Sequence, residues 1–513
     1  KKIFLMLLIV LSMVFESVIC HADNPIVQTI YTADPAPMVH DGVCYVYTTH
    51  DEDTVVNNFY TMNEWRCYSS KDMVNWTDHG SPLDYKAFSW AQGDAWAGQV
   101  IYRNGKFYFY VPMTRKNAGG ARVIGVAVSD SPTGPFIDAI GKPLITNNGA
   151  QDIDPSVFID DDGQAYLYWG NGELYYVKLN EDMISYSGSV VKVSPKPTNF
   201  VEGPWFYKRN NLYYMVYAGM GSSGEDIRYA TSSSPTGPWN FKAVIMPSQN
   251  SFTNHPGVID YEGNSYMFYH TGNLQGGGSY HRSVGVEQFS YNSDGSIPSI
   301  PITKTGPSQI GKLDPYIQTE AETICWESGV ETEICSEGGM NVSHIENGDY
   351  IKVKGVDFGS GAVSFNARVA SATDGGNIEL RLDSPTGTLV GTCAVSGTGG
   401  WQTWTTKSCE ITGATGIHDL YLKFTGGSGY LLNMNWWKFE GEPIQQAGTL
   451  GDLNGDGSIN SIDFGLFKLH LLGITPLEAS VLSNADVNKD GKENSIDFAL
   501  MKQYLLGIIK SFD

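Results

Sequence analysis

The stretch DIDPSVFIDDDGQAYLY, residues 152–168, decides how this chain is read. Five aspartates fall between residues 152 and 162. A calcium loop of the EF-hand kind needs oxygen ligands at positions 1, 3 and 5 and glycine at 6. Counted from Asp152, positions 5 and 6 are Ser156 and Val157; counted from Asp160, Gly163 arrives at position 4. That loop is excluded. What remains is a short apolar strand, a polar turn closing on Gly163 and an alternating aromatic strand, the pattern of a β-hairpin.

The hairpin recurs. DPAPMVHDGVCYVY begins at Asp34, WAGQVIYRNGKFYFY at Trp96, EGPWFYKRNNLYYMVY at Glu202 and HPGVIDYEGNSYMFY at His255, so that successive starts lie 62, 58, 48 and 53 residues apart. A second echo, SPTGPF at 131–136 and SPTGPW at 234–239, falls late in two of the units. Five antiparallel units of roughly 50 residues predict a five-bladed β-propeller. Asp160, Asp161 and Asp162 are then solvated turn residues. The first residue of each unit (Asp34, Trp96, Asp154, Glu202 and His255) is expected to open an inner strand near the common axis. Three carboxylates, an indole and an imidazole would face one small volume. Unpaired buried acids are costly, so such a gathering points to chemistry rather than packing.

Acidic residues outnumber basic ones by 55 to 33, a net charge of −22, which excludes nucleic acid and anionic membrane as partners. Residues 1–22, KKIFLMLLIVLSMVFESVICHA, read as a secretory signal peptide: two lysines, an apolar run too short to span a bilayer, and a small-residue exit. The protein is therefore expected to be secreted. Its seven cysteines include no C-x-x-C, which disfavours a zinc ribbon; Cys325 with Cys335, or Cys393 with Cys409, stand open as pairs or as small buried residues. Composition divides the chain into the repeat zone at 23–310, a Gly- and Thr-rich zone without helical periodicity at 314–441, a polar linker at 442–451 and a duplicated acidic zone at 452–510.

The duplication is specific. DLNGDGSINSID, residues 452–463, and DVNKDGKENSID, residues 486–497, place Asp452, Asn454, Asp456, Asn460 and Asp463, then Asp486, Asn488, Asp490, Asn494 and Asp497, at positions 1, 3, 5, 9 and 12. Gly457 and Gly491 occupy position 6. This is EF-hand ligand spacing with Asp in place of Glu at position 12, and it predicts two bound Ca2+ ions. Each loop runs into an apolar-periodic helix, FGLFKLHLLGI or FALMKQYLLGI, with no evident helix before it.

On these residues the chain resembles three known families. TADPAP, DIDPSVFIDDDG and VEGPWFYK are similar to the three carboxylate motifs of glycoside hydrolase family 43. The resemblance implies an inverting glycosidase with Asp34 as general base, Glu202 as general acid and Asp154 as the modulator of the Glu202 pKa. The working carboxyls would lie roughly 6.5–9.5 Å apart, with water between. It further implies substrate contacts at Trp96, Asn254 and Arg282, and a central calcium near His255. The second zone resembles carbohydrate-binding module family 6, a β-sandwich, through TEAETICWESGV, GGWQTWTT and GYLLNMNWWKFEG. Trp401 and Asn433 match its sugar contacts, His344 falls where a partner aromatic is usual, and Glu320 with Glu322 match a structural calcium site. The loop duplication resembles type I dockerin, with Ser461–Ile462 and Ser495–Ile496 at the positions that meet a scaffoldin cohesin. The combined expectation is an all-β, secreted, cellulosome-associated hydrolase of hemicellulose with a small helical calcium-binding tail. An α-L-arabinofuranosidase on arabinoxylan is the leading activity; β-xylosidase or exo- or endo-xylanase action on xylan, and a non-catalytic sugar-binding propeller, are the alternatives.

Overall fold

Strands dominate because short β-branched and aromatic runs alternate with glycine-bearing turns throughout the first 440 residues. A computed structural model of the chain describes residues 23–146, 152–441, 450–454, 458–477 and 479–512; the signal-peptide expectation, most of the linker and Asp456 with Gly457 lie outside the described residues. Two compact units result, one of residues up to 75 together with 81–311, the other of 76–80 together with 312 onwards.

Along the first unit, the described residues form five successive antiparallel sheets, one at each predicted hairpin. The hairpin strands are Thr32–His40 with Val43–His50, Gln99–Arg103 with Lys106–Arg115, Ser156–Ile159 with Ala165–Trp169, Phe200–Arg209 with Leu212–Met220, and Gly257–Tyr261 with Asn264–Thr271. Central strands such as Lys106–Arg115 are buried on both faces, whereas outer strands such as Tyr186–Lys192 are mostly exposed. Residues preceding the first sheet run beside the last one. Ile26 N–H donates to Val284 O (2.9 Å), and the Asn24 amide bonds both backbone groups of Val286 (3.0 and 3.1 Å), as a strand partner would.

The turn aspartates are not all solvated. Asp160 accepts from Lys208 Nζ (3.0 Å) and Tyr213 OH (2.7 Å), which ties the third sheet to the fourth. Asp161 and Asp162 do lie in the exposed turn.

In the second unit, two sheets share one apolar core. Met340–Ser343, Asn433–Gly441, Ala362–Ser371 and Gly400–Glu410 belong to one; Tyr350–Asp357, Ile417–Gly426, Gly376–Leu382 and Thr388–Val395 belong to the other. Strand alternation puts Phe365, Val369, Leu380, Leu422 and Trp437 inside, all at 0% exposure, and this burial of apolar surface holds the sheets face to face. The six described cysteines are thiols, and Cys393 and Cys409 are hydrogen-bonded to each other.

The acidic duplication folds as two helices, Ser461–Leu471 and Ser495–Leu505, whose Phe464 and Phe498 rings stack at 4.1 Å above buried Phe467 and Met501. A third helix, Ala479–Ala485, runs directly into the second loop, contrary to the sequence reading. Its seven residues make only about two turns, too short for periodicity to register.

Candidate active site

Asp34 and Asp154 share an uncommon backbone. Both precede proline and both adopt the left-handed conformation, with φ of 52° and 57°. Non-glycine residues pay about 1–3 kcal/mol for such geometry, which persists where the surroundings enforce it. In the fourth sheet the residue before proline is Gly203, at φ 59°, so Glu202 stands one place earlier than the repeat alignment implied. Glycine avoids crowding there, since a Cβ would come 3.0 Å from His255 Nδ1; the Gly203 N–H donates to Asp154 Oδ2 (2.9 Å). Trp96, Asp154 and His255 precede their strands as expected, whereas Asp34 and Glu202 lie inside theirs at bulges, which re-aim a side chain without breaking the sheet.

All five of these residues line one cavity of about 500 Å³, together with Arg282, Asn171, Glu225, Arg122 and an apolar rim that includes Phe59, Tyr60 and Phe252. The size and mixed lining suit a small polar ligand with apolar ring faces. Trp96 forms part of the wall, with the Arg122 guanidinium 4.2 Å above its ring. Asn254 does not reach the cavity. It is buried behind Glu225, to which its N–H donates (2.9 Å), and its Oδ1 turns back to accept the His255 N–H. Arg282 is 3% exposed and lines the cavity rather than the outer surface.

The carboxyls differ in charge because their partners differ. Burial opposes ionisation of Asp34, but Arg282 donates to Oδ1 (3.0 Å) and Oδ2 (3.3 Å), Thr49 Oγ1 donates to Oδ2 (2.9 Å), and His270 sits 3.3 Å from Oδ1. Their sum holds Asp34 well below the usual carboxylate range. Arg282 is itself fixed by Asp51, through Nε and Nη2 at 2.9 Å each, and by the Tyr60 ring beneath it at 4.4 Å. Glu202 has no such partner. Burial, then the negative charge of Asp34, pushes it up to about 7, against a hydrogen bond from Asn171 Nδ2. Burial and the neighbouring Glu202 and Asp34 raise Asp154 well above its ordinary value. His255 is pushed down to about 4, chiefly by burial, and is therefore neutral at pH 7. An anionic carboxylate and a protonated acid thus face the same cavity, the division of labour that acid–base hydrolysis requires.

Residues 22–297 match the family model "Glycosyl hydrolases family 43", residues 320–441 "Carbohydrate binding module (family 6)" and residues 450–506 "Dockerin type I domain". The chain belongs to glycosyl hydrolase family 43. The hydrolase is 36% identical to an arabinoxylan arabinofuranohydrolase of Paenibacillus polymyxa, over 81% of this chain and 74% of that protein. It is equally identical to one of Bacillus subtilis, over 81% and 92%. A crystal structure of a family 43 arabinoxylan arabinofuranohydrolase from Bacillus subtilis, in complex with cellotetraose, superposes with a TM-score of 0.71 at 35% identity, covering 81% of this chain and 97% of that one.

The hydrolase carries further candidate positions in its second unit. Trp401 and Asn433 are joined there, Asn433 Nδ2 donating to Trp401 O (3.0 Å) and to Glu333 Oε1 (2.7 Å). The ring facing Trp401 is Tyr430, 6.4 Å away and edge-on, with His344 behind it at 5.2 Å. Tyr430 is 47% exposed, and a sequence search centred on His344 misses it because the two rings meet only across the fold. At the paired calcium candidates, Glu322 Oε2 is buried without a hydrogen-bond partner among the described residues, as is Asn435 Oδ1 on the adjacent strand. Orphaned buried oxygens of this kind fit a bound dication. In the second acidic loop, Gly491 at φ 84° lets its N–H turn back to Asp486 Oδ2 (2.7 Å), and Asp490 N–H reaches Asp486 Oδ1 (3.0 Å), so the loop is wound around its first carboxylate as a calcium loop must be. Asn460, Asn494, Asp463 and Asp497 have a second duty: each Asn–Asp pair forms a capping box at the start of a helix.

Proposed function

We propose that the hydrolase is a secreted, cellulosome-associated, inverting α-L-arabinofuranosidase that removes arabinose from arabinoxylan. The arabinoxylan arabinofuranohydrolases that match most of its length support this substrate. In this reading residues 23–310 are a five-bladed propeller, with the residues around Asn24 closing the ring onto its last sheet. Residues 314–441 are the sugar-binding sandwich, 442–451 a linker and 452–510 the dockerin. Asp34, kept anionic, takes a proton from the attacking water. Glu202 gives its proton to the leaving glycosidic oxygen, while Asp154 keeps Glu202 protonated and oriented through the Gly203 backbone. Trp96 and Arg282 meet the sugar directly; Trp401 with Tyr430 and Asn433 would hold a xylan chain by stacking and amide hydrogen bonds. The observation that carries the reading is that one cavity holds Asp34 paired with Arg282 beside Glu202, which has no cation of its own among the described residues. Its test is the product profile from wheat arabinoxylan, read by anion-exchange chromatography. Arabinose alone is expected. Xylose or xylo-oligosaccharides would transfer the activity to the main chain, and retained binding without any release would make the domain a lectin.

Calcium would be held by Glu320 and Glu322 in the sandwich and by the two acidic loops, where it supplies the positive charge around which the carboxylates fold. The exposed Ile462 and Ile496, at 57% and 56%, would then present an apolar pair to a scaffoldin cohesin. Asp486→Ala is expected to weaken calcium binding by at least ~10-fold, measured by titration calorimetry on the full chain, with hydrolysis of an aryl arabinofuranoside unchanged.

A further inference from the structure

Glu225 is a fourth carboxyl in the cavity, and none of the three carboxylate motifs contains it. It opens the strand Glu225–Ser232 and is 5% exposed. Its N–H donates to Phe252 O (3.1 Å), its Oε2 accepts the Asn254 N–H (2.9 Å), and its side chain is hydrogen-bonded to that of Glu202. The buried backbone N–H of Asn254 thus serves to fix Glu225.

Two carboxyls in hydrogen-bond contact do not both ionise; a proton must lie between them. The charges acting on Glu225 are those of Glu202 and Asp34, both negative, and burial adds to them, so it holds its proton to about 9. The cations lining the cavity, Arg282 and Arg122, do not pair with it; Arg282 is committed to Asp34 and Asp51, and Arg122 stacks on Trp96. His255 is neutral, and burial with the neighbouring Glu202 and Asp34 raises Asp154 well above its ordinary value. With the Asn254 N–H already bonded to Oε2, the carboxyl of Glu225 has its orientation fixed while it donates towards Glu202.

We propose that Glu225 is a positioning residue, a neutral acid that donates a hydrogen bond to Glu202 and fixes the carboxyl from which the leaving oxygen is protonated. When Glu202 transfers its proton to that oxygen, Glu225 keeps its own and, with Asn171, stabilises the carboxylate left behind. The inference rests on Glu202 being the general acid, and its test separates the two ideas by leaving group. Departure from arabinoxylan needs a proton; departure of 4-nitrophenolate does not.

In the full-length enzyme, Glu225→Ala is expected to lower kcat on arabinoxylan at least ~10-fold with KM nearly unchanged, and to lower kcat on 4-nitrophenyl α-L-arabinofuranoside by a much smaller factor. Its alkaline limb should move to higher pH, because a hydrogen bond favouring ionised Glu202 is gone. Glu225→Gln should restore the rate, since its amide N–H donates to Glu202 and its amide oxygen still accepts from Asn254. In a Glu202→Gln background, Glu225→Ala should cost nothing further. Should Glu225→Ala not fold, Glu225→Asp, which retracts the carboxyl by one methylene, carries the same expectations. Equal loss on both substrates, failure of Glu225→Gln to rescue, or additive effects in the double variant would each overturn the proposal. If Glu202→Gln itself loses equally on both substrates, the acid assignment falls instead.

Discussion

Asp34→Asn is expected to cut kcat by about 10²–10⁴-fold on arabinoxylan and on an aryl arabinofuranoside alike, because water must be activated whatever leaves. The substitution is isosteric, and the amide oxygen can still accept from Arg282, which also keeps its paired contacts with Asp51. The amide nitrogen would face a group that donates to Asp34, so a modest loss of thermal stability is expected, while substrate binding should survive. Steady-state kinetics on both substrates, with a melting curve as control, check this. A loss confined to the polysaccharide would remove Asp34 from the role of base. The result matters because Asp34 is the carboxyl whose charge the fold secures most heavily, through a guanidinium, a threonine hydroxyl and an imidazole.

Glu202→Gln is expected to show the complementary pattern: a ~10²–10⁴-fold loss of kcat/KM on arabinoxylan, and a much smaller one on the aryl substrate. With Glu202 as the proposed acid its proton is required, and Glu202 is pushed up to about 7 by burial and by Asp34. Activity should thus be full below neutrality and fall as pH rises through about 7. Asp34 sets the other limit. Its carboxyl lies well below the usual range, so the base stays ionised across the whole mildly acidic region and the acid limb lies far from the working pH. Because an aryl leaving group departs without a proton, the alkaline limb should be seen on arabinoxylan and be much weaker on the aryl substrate; a limb of equal depth on both would assign that ionisation to another group.

Much of this was legible in the residues. The five hairpins stand out because their central strands are buried on both faces and so carry unbroken apolar and aromatic runs. Outer strands such as Tyr186–Lys192 and Asn240–Met246 are largely solvated, carry no such constraint and leave little trace. D-P and E-G-P mark the carboxylates because the backbone there is left-handed and bulged, a geometry that tolerates few residues. Acidic-loop spacing is equally local, since one short turn of chain supplies every ligand.

The sequence by itself therefore determined the strand order, the carboxylates of the motifs, the family and the calcium-loop spacing, each of which is encoded within a dozen contiguous residues. Only the tertiary structure decided which charges those carboxylates carry. Arg282 meets Asp34 across 248 residues and Asp51 across 231, and Glu225 meets Glu202 from a strand with no motif of its own. Tyr430, not His344, faces Trp401, and Asn254 stands behind the cavity, not in it. Ionisation depends on desolvation and on neighbours within a few ångströms, and in a β-sheet protein those neighbours come from strands far apart in the chain.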